Sequence, residues 1–138
     1  MLFKSDRIRG EWSQLAFKNM PLFDIINRLH DHVAEVYGKE LVLTSILRTK
    51  EENDELYKDT PPEQRPAASP HCIWGATDIR SSTFTDEEIT SLTAWLNASF
   101  HNPSGKATAL YHSIPGQAKH FHIQHSNGTP VLPPQIIA

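Results

Sequence analysis

Cysteine is almost missing from this chain. The single Cys72 has no partner for an intrachain disulfide and leaves too few thiols for any cysteine-rich zinc module. No stretch approaches the roughly 18 consecutive apolar residues that a membrane span needs. The N-terminus, Met1-Leu2-Phe3-Lys4-Ser5-Asp6-Arg7, lacks the apolar run of a secretory signal, so synthesis in the cytoplasm is expected. A basic excess is also missing: 13 Lys and Arg stand against 16 Asp and Glu, a net charge of −3, which argues against nucleic acid as a partner. Carboxylates are absent from the whole C-terminal part, with no Asp or Glu in the 50 residues after Glu88. Internal repeats, heptads and low-complexity blocks are lacking too. What remains is 138 residues of ordinary composition, enough for one domain with its own core.

Apolar spacing predicts a short first helix through Ile8, Trp12, Leu15 and Ala16, and a second opened by Pro21. Leu22, Ile25, Ile26, Leu29, Val33 and Val36 form the stripe of that second helix, and Gly38 sits where a C-terminal cap belongs. Glu40–Ile46 and Trp74–Arg80 read as strands, and Glu51–Tyr57 as a turn or two of helix. Thr60–Pro70, with four prolines, reads as an exposed, partly extended loop. Thr85-Asp86-Glu87-Glu88 is a capping box opening a helix through Ile89, Leu92, Trp95 and Leu96. Two late strands, about 107–113 and 118–124, flank Ile114-Pro115-Gly116-Gln117, a turn signal. The expected fold is α+β: one domain over 1–138, with a helical part to residue 38, a small antiparallel sheet with helices packed on one side, and an irregular tail from 126.

Histidine is the residue in excess, at eight, and five of these lie after residue 100. On a strand, residues two apart share a face, so His120 and His122 point together while Phe121 points to the core. If the Pro-Gly turn pairs Ile114 with Gln117, Tyr111 lies opposite His120 and joins that face, whereas His112 does not. Upstream, His71 at a loop end and Asp78 near the end of a short strand can converge on one ion. With a histidine from the late strand they offer two nitrogens and one carboxylate, ligands that suit zinc and leave a fourth position open to water. Cys72, next to His71, reads as a buried structural thiol, and His30 and His32 as ordinary helix histidines.

These residues carry a resemblance. Ser69-Pro70-His71-Cys72-Ile73-Trp74-Gly75-Ala76-Thr77-Asp78 resembles the S-x-H-(x)6-D signature of the zinc D-alanyl-D-alanine metallopeptidases, whose superfamily includes lysostaphin-type enzymes, murein endopeptidases and the hedgehog signalling domain. Thr44-Ser45-Ile46-Leu47-Arg48-Thr49 is similar to the segment that precedes it in that family, and His120-Phe121-His122 to its late H-x-H strand. The resemblance spans residues 41–125, in order and rough spacing. It implies one zinc ion held by His71, Asp78 and His122, with the sheet carrying the site. It implies His120 as the catalytic histidine that orients water or stabilises the oxyanion, and Arg48 as the binder of a substrate carboxylate or carbonyl. Tyr111 joins them as a substrate contact if it shares their face.

Two departures matter. Trp74 stands where the family usually has glycine, with Gly75 after it, and Lys119 stands where the carboxypeptidase branch has its acidic base. With no carboxylate after Glu88, the base must be His120 or an earlier acid, of which Glu51, Glu52 and Asp54 follow Arg48. The expected function is therefore a monomeric zinc metallopeptidase of the H-x-H type, cutting peptidoglycan stem peptides or cross-links. Its size and missing signal resemble phage lysis enzymes. The alternative is a zinc-containing binding or structural module without hydrolysis.

Overall fold

The computed structural model describes residues 1–64, 69–112 and 119–125. Helix α1 (Asp6–Lys18) follows a two-residue strand β1 (Leu2–Phe3) and is capped by Ser5, whose hydroxyl accepts the Ile8 N–H. Asn19 then serves both neighbours: its N–H closes α1 on the Leu15 carbonyl, and its side chain accepts the Leu22 N–H to open α2 (Met20–Tyr37). Gly38 ends α2 at φ 63°, a left-handed turn that a side chain would strain. Leu22, Ile25, Ile26, Leu29 and Val33 are buried on α2, each contributing about 1.5–3 kcal/mol. The expected stripe ends one residue early. Val36 is 54% exposed, and Tyr37, four residues beyond Val33, packs against the core in its place.

Strand β2 (Val42–Ser45) leads into α3 (Lys50–Leu56), a helix with a Thr49–Glu52 capping box and no buried residue. Single turns of 3-10 helix at Pro62–Gln64 and Pro70–Ile73 precede β3 (Ala76–Ile79). After a third such turn, Ser81–Thr83, the expected Thr85–Glu88 box opens α4 (Asp86–Ser99). Strands β4 (Ala109–His112) and β5 (His120–Gln124) complete the fold. The expected Pro-Gly turn and irregular tail lie outside the described residues.

The strands form one sheet in the order β1-β2-β3-β5-β4. It is antiparallel except at one edge, where β1 runs parallel to β2 through Leu2 N–H to the Leu41 carbonyl and Lys4 N–H to the Leu43 carbonyl. Leu43, Ile79, Phe121, Ile123 and Ala109 face the helices and join Leu15, Leu29, Leu92 and others in one core. The opposite face bears Asp78 against His122. The fold is thus α+β with a small sheet.

Two details of register place the site. Between Leu43↔Ile79 and Ser45↔Asp78, β2 advances two residues while β3 advances one, so a bulge at Thr44 bends β2 beside Asp78. At the other edge β4 pairs Tyr111 with Phe121 and His112 with His120. The expectation for Tyr111 is thereby corrected: it lies on the sheet face of Phe121, not that of the histidines. The observed pairing is one residue away from the register of a tight two-residue turn. On the outer edge of β4 the Asn97 side chain clamps Ala109, accepting its N–H at 2.9 Å and donating to its carbonyl at 3.2 Å, which ties β4 to α4.

Candidate metal centre

His71 is delivered by the 3-10 turn Pro70–Ile73. Ser69 caps that turn by accepting the His71 N–H, and Pro70 begins it with its preset φ. The turn ends on Trp74 at φ 60°, a left-handed conformation that costs a non-glycine residue about 1–2 kcal/mol. This is the position at which the resembling family has glycine. Gly75 is needed for a different reason: a Cβ there would stand 3.1 Å from the Pro70 carbonyl oxygen. Asp78 comes from β3 and His122 from β5, directly paired across the ladder. All three side chains are buried, at 2, 3 and 5% exposure, and their ligand atoms lie within 4.8 Å of one another. They can hold a metal ion.

The hydrogen bonds around the imidazoles assign their tautomers. His71 Nδ1 lies 3.0 Å from the Ile46 carbonyl oxygen, which only accepts, so Nδ1 carries the proton. Its Nε2 then presents a lone pair; it lies 3.1 Å from Asp78 Oδ2, buried and without a hydrogen bond. The Gln124 amide donates to the Ala107 carbonyl at 2.8 Å, which turns its Oε1 toward His122 Nε2 at 3.0 Å. His122 Nε2 therefore carries a proton, while Nδ1 lies 3.0 Å from Asp78 Oδ1, donating to it when the ring is protonated and holding the lone pair when the ring is neutral. Two imidazole lone pairs thus converge on one carboxylate. They can face it as imidazolium rings with a proton in each gap, or as neutral rings with a cation among them.

Asp78 is ionised in this setting. Burial is the largest single influence and favours the neutral acid, but the charges of the protonated His71 and His122 rings and their hydrogen bonds to the carboxylate together outweigh it. The carboxyl is held below the ordinary carboxylate range.

His120 stands on the open side of the group, 17% exposed, with Nε2 3.6 Å from Asp78 Oδ2. It lines a groove of about 470 Å³ together with Asp78, Arg48, Thr44 and Glu11. Arg48 reaches this groove after its N–H has bonded the His71 carbonyl, and its guanidinium donates to Asn53 Oδ1 and Ser69 Oγ. Among the described residues it pairs with no carboxylate. The chain matches no known protein family, no curated protein and no solved structure. The site therefore rests on its own geometry.

Other expected residues fall elsewhere. Glu52 lines the groove, but Arg7 grips both its oxygens at 2.7 and 2.8 Å and holds its carboxyl down to about 2. Glu51 and Asp54 are exposed on α3. Lys119 is exposed, its ammonium 5.7 Å from the Tyr111 ring centre. Cys72 is half-buried rather than buried, because its 3-10 turn runs at the surface. His125 is buried, held by its N–H to the Gly75 carbonyl, and is not one of the three grouped residues. The sequence reading missed Glu11, which lines the groove, pairs with Arg7 at 2.8 Å and accepts the Leu47 N–H. It also missed Gln124, although the H-x-H-x-Q alternation on one strand face was there to find it.

Proposed function

We propose that the chain is a zinc-dependent peptidase that hydrolyses peptide bonds in peptidoglycan stem peptides or cross-links. The observation that carries the reading is the convergence of two imidazole lone pairs and one carboxylate beside an open groove. Three protein ligands leave a tetrahedral position free, as catalytic zinc sites do, whereas structural sites close with four. A bound zinc ion supplies Lewis acidity, lowering the pKa of water and polarising an amide carbonyl.

The chain's own residues would do the rest. His120 is the side chain placed to take a proton from water and return it to the leaving amine. Arg48, with its planar fork and, among the described residues, neutral side-chain partners, would bind a substrate carboxylate or carbonyl. The peptidoglycan substrate class comes from the motif resemblance across residues 41–125. One observation favours a second reading, a zinc-containing binding module without hydrolysis. Both acids that line the groove besides Asp78, Glu11 and Glu52, are committed to Arg7, so His120 stands alone as base.

Digestion of purified peptidoglycan by zinc-loaded protein, followed by mass spectrometry, separates the two. New amino and carboxyl ends are the expected result, and the product masses identify the bond. Zinc-loaded protein that releases none from walls of several chemotypes would defeat the peptidase reading and leave the binding module.

A further inference from the structure

Beyond the three ligands, one side chain of β5 has its orientation fixed from both sides. Gln124 is 7% exposed, and neither end of its amide is at liberty. Its Nε2 donates to the Ala107 carbonyl at 2.8 Å, so its Oε1 must face His122, 3.0 Å from the ring Nε2. An amide oxygen only accepts. Whenever the ring is neutral, as a metal ligand must be, its one proton is thus drawn to Nε2 and its lone pair to Nδ1, the atom that faces Asp78. The backbone supports the arrangement: Gln124 N–H donates to the Thr108 carbonyl at 2.8 Å, beside the Ala107 carbonyl that the side chain uses.

We propose that Gln124 is a positioning residue for metal binding, selecting the tautomer in which His122 ligates through Nδ1. For His71 the backbone carbonyl of Ile46 does the same work, and no substitution can remove it. For His122 the task falls to a side chain, so it can be tested. The proposal rests on the reading of His71, Asp78 and His122 as metal ligands.

Gln124→Met keeps the length of the side chain and removes both amide functions. Gln124→Glu keeps an acceptor toward His122 and gives up the donor toward Ala107. Zinc dissociation constants measured by competition with a chromophoric chelator should rise about 10–100-fold in Gln124→Met, the usual loss when such a partner is removed. In Gln124→Glu they should stay within a few-fold of the wild type. Long-range proton–nitrogen spectra of the zinc-loaded, histidine-labelled wild type should show Nε2 of His122 protonated and Nδ1 on the metal. That spectrum needs no variant, so it decides even if Gln124→Met does not fold. Ligation through Nε2 would overturn the proposal, as would an unchanged dissociation constant in folded Gln124→Met, or equal losses in both variants. A wild type that takes up no zinc overturns instead the ligand reading beneath it.

Discussion

Replacing Asp78 by Asn tests the centre most directly, because it removes the charge and almost no volume. Asp78 is 3% exposed and ionised, with nitrogens of His71 and His122 at 3.1 and 3.0 Å. In the wild type, zinc at 100 times its dissociation constant should stabilise the folded state by about 2.7 kcal/mol. For a domain of this size, about 4 °C per kcal/mol converts that to a rise in Tm of roughly 10 °C. Asp78→Asn should lose nearly all of that rise, since a neutral amide is a poor metal ligand. Without metal it should also melt lower, because breaking a buried charge-assisted arrangement costs about 3–5 kcal/mol. The pH dependence has a definite sign. The folded Asp78 carboxyl is held below its usual value, so its stabilisation is present above the ordinary carboxylate pKa and fades as pH falls below it. Differential scanning fluorimetry of both proteins, with zinc and with a chelator, is the assay. A wild-type Tm indifferent to zinc, or an Asp78→Asn protein that keeps the full shift, would refute the reasoning.

Three further outcomes are expected. His120→Ala should keep its zinc by elemental analysis while kcat on a wall peptide falls about 10²–10⁴-fold; an unchanged kcat removes His120 from proton transfer. Phe121→Ala should cost about 3–5 kcal/mol in urea unfolding, because the ring between the two site histidines is fully buried in the core. Glu52→Gln should cost less than about 1 kcal/mol, since both partners of the Arg7–Glu52 pair are about half-exposed. That small difference should be present above pH 4.5 and vanish as pH falls toward 2, the range through which the fold displaces this carboxyl; a gap that persists below pH 2 contradicts the assignment.

What the sequence disclosed follows from the range of each interaction. Capping boxes, the Gly38 cap and strand alternation act over a few residues, so Thr85–Glu88, the end of α2 and the shared face of His120 and His122 were legible. The order of motifs was enough to nominate His71, Asp78 and His122, which the fold gathers together. Register is different. Whether Tyr111 or His112 meets His120 depends on how β4 slides against β5, which alternation within one strand does not encode, and a shift of one residue exchanges the faces. Strand β1 has two residues and no pattern of its own; it exists because β2 offers an edge. The roles of the Ile46 carbonyl and of Gln124 come from contacts that no spacing rule contains.

The side chain of Asn19 ties the junction of α1 and α2 to two segments far away in sequence. Its amide donates to the carbonyls of Trp74, just after the His71 turn, and of His125, just after β5. The second of these bonds spans 106 residues. During synthesis the helices can form early, but their junction stays unfinished until β5 has left the ribosome. The same strand supplies His122, so an incomplete chain holds two of the three residues that can bind a metal ion and cannot yet close the set. A metal ion that needs all three residues would therefore have to wait for β5, and the emergence of His122 and His125 is one event for the helix junction and for the site.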